Sequence, residues 1–122
     1  MIQKVNIAEK FTLFSEHFTP KIIGEANGQY VKIAKIRGEF VWHSHEHEDE
    51  LFLVFKGLFT IEFRDGTVHL GAGEMFIVPK GVEHRTLASE EAQIMMIEPK
   101  STAHSGDVQS DLTVPTVAQE WI

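Results

Sequence analysis

Residues 38–57, GEFVWHSHEHEDELFLVFKG, decide how the rest of the chain is read. The stretch opens on a strand-like run, and His43 and His45 stand two positions apart within it. Alternate residues of an extended strand point to one face, so the two imidazoles are expected to project together. Asp49 and Glu50 follow, then the apolar run 51–55 and a turn glycine, Gly57. Residues 73–84, GEMFIVPKGVEH, repeat the same order of glycine, apolar strand, Pro/Gly turn and histidine, ending on His84. Three histidines and a carboxylate at strand edges are a donor set suited to one divalent transition metal.

Composition bounds the reading. A chain of 122 residues, 43% hydrophobic and 24% charged, is expected to form one soluble globular domain with a real core. A net charge of −7 argues against nucleic acid or an anionic membrane as the main partner, since both demand a basic face. The absence of cysteine excludes disulfides and thiolate ligands. The N-terminus, MIQKVNIAEKF, lacks an apolar targeting core, and no stretch reaches transmembrane length, so the expected location is cytoplasmic.

Outward from the central stretch, residues 6–18 read as a short helix. Asn6 caps it, with Glu9 three positions on, and Ile7, Phe11, Phe14 and Phe18 form one stripe. Pro20 ends it. From 20 to 99 the pattern is strands and turns: Asn27-Gly28 marks a hairpin, and further strands are expected at 40–45, 51–55, 58–64, 67–70, 75–78, 82–87 and 92–98. Many short strands with Gly/Pro punctuation mean an all-β sandwich or closed barrel. Both faces of 51–55 are apolar, so its outer face needs cover from the helix or from a second subunit; a homodimer is expected. Residues 100–122 turn polar, with Val108, Leu112, Val114, Val117, Trp121 and Ile122 the apolar exceptions, and are expected to dock on the barrel or a partner.

The two blocks resemble the paired motifs of the cupins. In the first, a glycine precedes His43-Ser44-His45, four residues separate these from Glu50, and six more lead to Gly57. In the second, Gly73, Pro79, Gly81 and His84 keep the family spacing. Gly38 lies one residue closer to His43 than is usual, and Ala88 stands where the family often has asparagine; neither position is a ligand. The chain resembles the small single-domain, conserved-barrel cupins, often labelled mannose-6-phosphate isomerase-like by similarity alone. The resemblance implies an all-β double-stranded β-helix (jelly-roll) barrel with His43, His45, Glu50 and His84 holding one divalent Fe, Mn, Ni, Co or Zn ion.

Asp49 also fits a shorter permitted gap, but Glu50 keeps the distance to Gly57 and heads the apolar run. Glu46, His47 and Glu48 read as a solvated rim, and His17, His69 and His104 as surface or satisfied histidines. Phe52, Phe59, Phe63, Phe76 and Met96 are the candidates for an apolar wall around a small-molecule ligand. The serines lack a nucleophile-elbow context, and the cations Arg37, Lys56, Arg64, Lys80 and Arg85 form no clustered phosphate clamp. An open metal site suggests oxygenation or isomerisation of a small oxygenated molecule; the rival is a non-catalytic small-molecule or metal-binding module.

Overall fold

The computed structural model describes residues 3–106, 108–115 and 118–122. Val117 and two other positions of the tail, 107 and 116, lie outside the described residues. The elements are a helix α1 (Ile7–Phe11) and strands β1 (Lys21–Ala26), β2 (Gln29–Glu39), β3 (Glu50–Lys56), β4 (Phe59–Phe63), β5 (Gly66–Leu70), β6 (Met75–Val78), β7 (His84–Pro99) and β8 (Glu120–Trp121). Among the described residues no helix is long and apolar enough to cross a membrane.

Strand β7 is the spine. The sequence suggests two strands at 82–87 and 92–98, but one strand of 16 residues runs through both. Its first half pairs with β4, Phe63 opposite His84, and its second half lies between β2 and β3, with Ile97 opposite both Val31 and Leu51. The exposed residues 89–91 break the in–out alternation between the halves. The chain thus passes from one sheet to the other through a bulge, where the pairing with β2 jumps from Ala88 to Ala92, and the strands join one eight-stranded barrel.

Period-two alternation fills the interior. Ala34 and Ile36 of β2, Phe52 and Val54 of β3, Phe59 and Ile61 of β4 and Ile94 and Met96 of β7 form a single buried cluster. Each of the Ile, Val, Phe and Met side chains among these contributes about 1.5–3 kcal/mol by leaving water, enough in sum to set the register. The β1–β2 hairpin turns at Asn27 and Gly28, whose φ angles of 53° and 76° suit a two-residue primed turn. Gly57 has φ of 89°, and a Cβ there would lie 3.0 Å from the Glu91 carbonyl oxygen, so the β3–β4 turn needs glycine twice over.

The helix is shorter than its periodicity suggests. Asn6 does cap it, accepting the Glu9 amide at 3.1 Å, but Thr12 closes it after five residues by donating its amide and hydroxyl to Glu9 O. The phenylalanines separate. Phe11 and Phe14 cover Ile23 and Ile33 on the outer face of the sheet, whereas Phe18, at φ 54°, enters the barrel and stacks on Phe40 at 5.4 Å. One continuous helix could not serve both sides. At the other end of the chain, β8 runs parallel to β1, and Trp121 meets Tyr30 edge-on at 5.7 Å.

Candidate metal centre

The segment expected as a strand at 40–45 is not one. It crosses the mouth of the barrel and pairs only at His43, whose amide and carbonyl exchange 2.9 Å bonds with those of His84. Neighbouring anchors are Phe40 N–H to Thr86 O at 2.8 Å and Gly81 N–H to His45 O at 2.7 Å. These bonds tie the two motif blocks together and hold the backbone extended, so the shared face of His43 and His45 survives. Their rings lie 5.0 Å apart and nearly perpendicular, and that of His84 lies 4.5 Å from His43. Glu50 enters from the first position of β3.

All four side chains are buried, and one ligand atom from each falls within a 4.8 Å group. The structure brings together all four residues expected from the sequence. Asp49 stands outside: its carboxylate is exposed and accepts the Lys80 amide at 2.9 Å, fixing the turn after β6. His47 and Glu46 are exposed at the rim, as expected.

The hydrogen bonds prepare the histidines as ligands. His43 Nδ1–H donates to Val41 O at 2.8 Å and His84 Nδ1–H to Val82 O at 3.0 Å. A carbonyl only accepts, so Nδ1 of each ring bears a proton and Nε2 is the atom left to offer a lone pair to the cluster. Several buried atoms there have no hydrogen-bond partner: His84 Nε2, both nitrogens of His45 and Oε1 of Glu50. Buried polar atoms rarely go unpaired, and a concentration of them is what a divalent cation would satisfy. The donor set, three imidazoles and one carboxylate, fits an ion of borderline softness.

Electrostatics agree. Burial, then the neighbouring His84, pushes His43 down to about 4, leaving it neutral as a ligand must be. Burial also works against charge on His45, but the Glu50 carboxylate beside it, 3.4 Å from Nε2, outweighs burial and raises its pKa. Glu50 is held well below the usual carboxylate range: burial would raise it, and the neighbouring His45 and His84, 3.4 and 3.6 Å from its Oε1, outweigh that.

Three further residues belong to this environment. Lys32 and Glu98, both buried, meet at 2.8 Å, and Glu98 feels the charge of Glu50 nearby. Burial and the Glu50 charge raise the pKa of Glu98 well above the usual value. Both residues sit at inward positions of β2 and β7, so a charge inside an apolar alternation was the available signal. His104, expected as a surface or satisfied histidine, is half-buried and lines a cavity with His43 and Glu50. It lies in neither motif, and nothing in the local sequence marks it.

That cavity encloses about 30 Å³, room for about two water-sized groups. Its other walls are mostly apolar: Phe18, Ile36, Phe40, Phe52, Ile94 and Met96 among them. Of the five apolar wall candidates, Phe52 and Met96 reach it. Phe59 is barrel core, and Phe63 and Phe76 pack on each other at 5.7 Å beside it. At the rim, Arg64 lies over Trp42 at 3.8 Å and pairs with Glu83, while Arg85 pairs with Glu62. These cations are committed to carboxylates rather than directed at a phosphate.

Barrel and cluster together define a small β-barrel protein with a metal-competent group of three histidines and a glutamate in its mouth. A family model described as a cupin domain matches residues 29–105, and the chain belongs to the cupin family. It is 49% identical to a cupin-2 domain containing protein from Shewanella frigidimarina, with a TM-score of 0.77 over 78% of this chain and 93% of that one. Protein NMB1881 from Neisseria meningitidis is 28% identical, with a TM-score of 0.73 over 80% of this chain and 99% of that one. An uncharacterized Bacillus subtilis protein, YdbB, is 43% identical over 65 residues, 52% of this chain and 58% of that relative's length. The chain therefore aligns with somewhat over half of that curated relative.

Proposed function

We propose that His43, His45, Glu50 and His84 hold one divalent transition metal that binds a small oxygenated molecule and promotes its oxygenation or isomerisation. The cavity beside His43 and Glu50 carries this reading, because a purely structural ion would be closed off by its protein ligands. When bound, such an ion supplies Lewis acidity or, for Fe, Mn or Co, redox chemistry. The protein's own part is to keep His43 and His84 in the Nδ1–H form, to hold Glu50 ionised and to keep bulk water out with Phe18, Phe40 and Phe52.

A manganese-loaded sample tests the open position. Its water-proton relaxivity should show an exchangeable water on the ion; relaxivity matching a fully protein-ligated ion would sink the proposal. Iron-, manganese-, nickel- and cobalt-loaded samples should then be offered small hydroxy-carbonyl compounds, with oxygen uptake and product NMR as readouts. The small cavity favours the second reading, a non-catalytic binding module, and turnover by none of the four would support it.

We also take the protein to be a homodimer. Met75 and Ile77 of edge strand β6 are 49% and 46% exposed beside half-buried Leu51 and Leu53. A monomer mass by light scattering would remove that assignment.

A further inference from the structure

The cavity has a polar group that the ligand cluster does not use. His104 lies on the segment after β7, and its ring packs on Phe40 with centroids 4.8 Å apart; Phe40 in turn meets His43 edge-on at 5.4 Å. His104 Nδ1 accepts the Val114 backbone amide at 2.8 Å. A backbone N–H can only donate, so Nδ1 must carry the lone pair and the neutral ring its proton on Nε2. This tautomer is the reverse of that in His43 and His84, where Nδ1 donates to a carbonyl. Those two rings are built to offer a lone pair to an ion. His104 is built to offer a proton.

The segment holds the ring in place. Ser105, fully buried, donates to Val108 O at 2.5 Å and shares a 2.7 Å bond with Thr113. Thr113 also accepts the Ser110 amide. Gly106, at φ 59°, lies so close to the metal loop that a Cβ there would collide with the Ser44 carbonyl oxygen. Burial keeps the imidazole neutral, with its pKa pushed down to about 4. Of the polar cavity residues, His43 and Glu50 belong to the cluster, which leaves the Thr86 hydroxyl and His104 to address a ligand.

We propose that His104 Nε2–H donates a hydrogen bond to an oxygen of a small anionic ligand, a compact carboxylate or enolate, bound at the open face of the His43–Glu50 cluster. The inference rests on the metal reading above. The apolar walls and small volume restrict the ligand to a short or flat apolar body behind that oxygen. A neutral, pre-oriented donor favours an oxygen that gains negative charge, because no reorganisation is needed when the charge arrives.

The test uses the full chain loaded with Co(II), with acetate as the probe and the cobalt visible spectrum as the readout. The parent and the His104→Ala and His104→Gln variants should each hold about one cobalt per chain, since His104 is not a ligand. Acetate should perturb the parent spectrum, bind His104→Ala about 10- to 100-fold more weakly, and recover part of that loss in His104→Gln, which keeps an N–H donor. Nitrogen NMR of the diamagnetic zinc form should show His104 Nδ1 as the pyridine-like atom and Nε2 as the protonated one. Equal acetate affinity in parent and His104→Ala overturns the proposal while the metal reading stands. So does a parent that loads cobalt but is blind to acetate, an Nδ1–H tautomer, or cobalt lost with His104. A parent that takes up no cobalt overturns both readings together.

Discussion

Replacing His84 by alanine is expected to abolish the stabilisation of this protein by divalent metal. His84 is wholly buried, its Nδ1 is committed to Val82 O, and its Nε2 has no partner outside the cluster. An ion that binds only the folded state adds about 2.7 kcal/mol at 100 times its dissociation constant, which should appear as a rise of several degrees in the melting temperature. Losing one of four protein ligands should weaken binding by more than about 100-fold, beyond the usual cost of disturbing an outer-shell partner. The increment on adding metal should therefore vanish in His84→Ala at the same concentration. That variant also loses a buried ring, so the metal-dependent increment and not the base melting temperature is the quantity to read. Asp49→Asn, altered at a carboxylate bonded to Lys80 outside the cluster, should keep the full increment. A metal-dependent rise in His84→Ala equal to the parent's would show that the ion binds elsewhere.

The second large effect concerns Lys32. Its ammonium, with the side chain 1% exposed, lies 2.8 Å from Glu98, and Glu98 in turn contacts Glu50. Two carboxyl groups and one cation thus share a water-excluded space behind the histidines. Lys32→Met should destabilise the metal-free protein by about 3 kcal/mol, the lower end of the cost of breaking a buried pair, because Glu98 can retain a proton. Replacing both partners, as Lys32→Met with Glu98→Met, should restore most of the loss, since two apolar side chains leave no uncompensated group. Bound metal should narrow the gap between parent and Lys32→Met, because the ion itself compensates the carboxyl groups. Urea unfolding of the parent, the single variant and the double variant, with and without metal, reads all three effects. A double variant less stable than Lys32→Met alone would mean that packing, not charge, is what Lys32 supplies.

The sequence was most legible where a rule is local. Period-two alternation and the Asn27-Gly28 turn pointed to an all-β sandwich or barrel, and the family resemblance of two short motifs implied the barrel and the four clustered side chains. Glu50 could be preferred to Asp49 because it begins the apolar run, and burial separates the two in the structure. What escaped depends on where a segment finds its partners. The stripe Ile7, Phe11, Phe14 and Phe18 has helical spacing, yet tertiary packing sends Phe18 to the opposite side of the sheet. The exposed residues 89–91 looked like a break between strands because a strand changing sheets loses its alternation there. His104 reaches the cavity only through hydrogen bonds at Ser105, Thr113 and Val114, a fold-back that no periodicity announces.

The most direct measurement is the metal content of the protein purified without an affinity tag or added metal, beside its His43→Ala variant. About one Fe, Mn, Ni, Co or Zn per chain in the parent, and little in a folded His43→Ala, is the predicted result. A parent that stays folded yet takes up none of these ions when each is supplied, or a variant that binds as much as the parent, would contradict the metal centre.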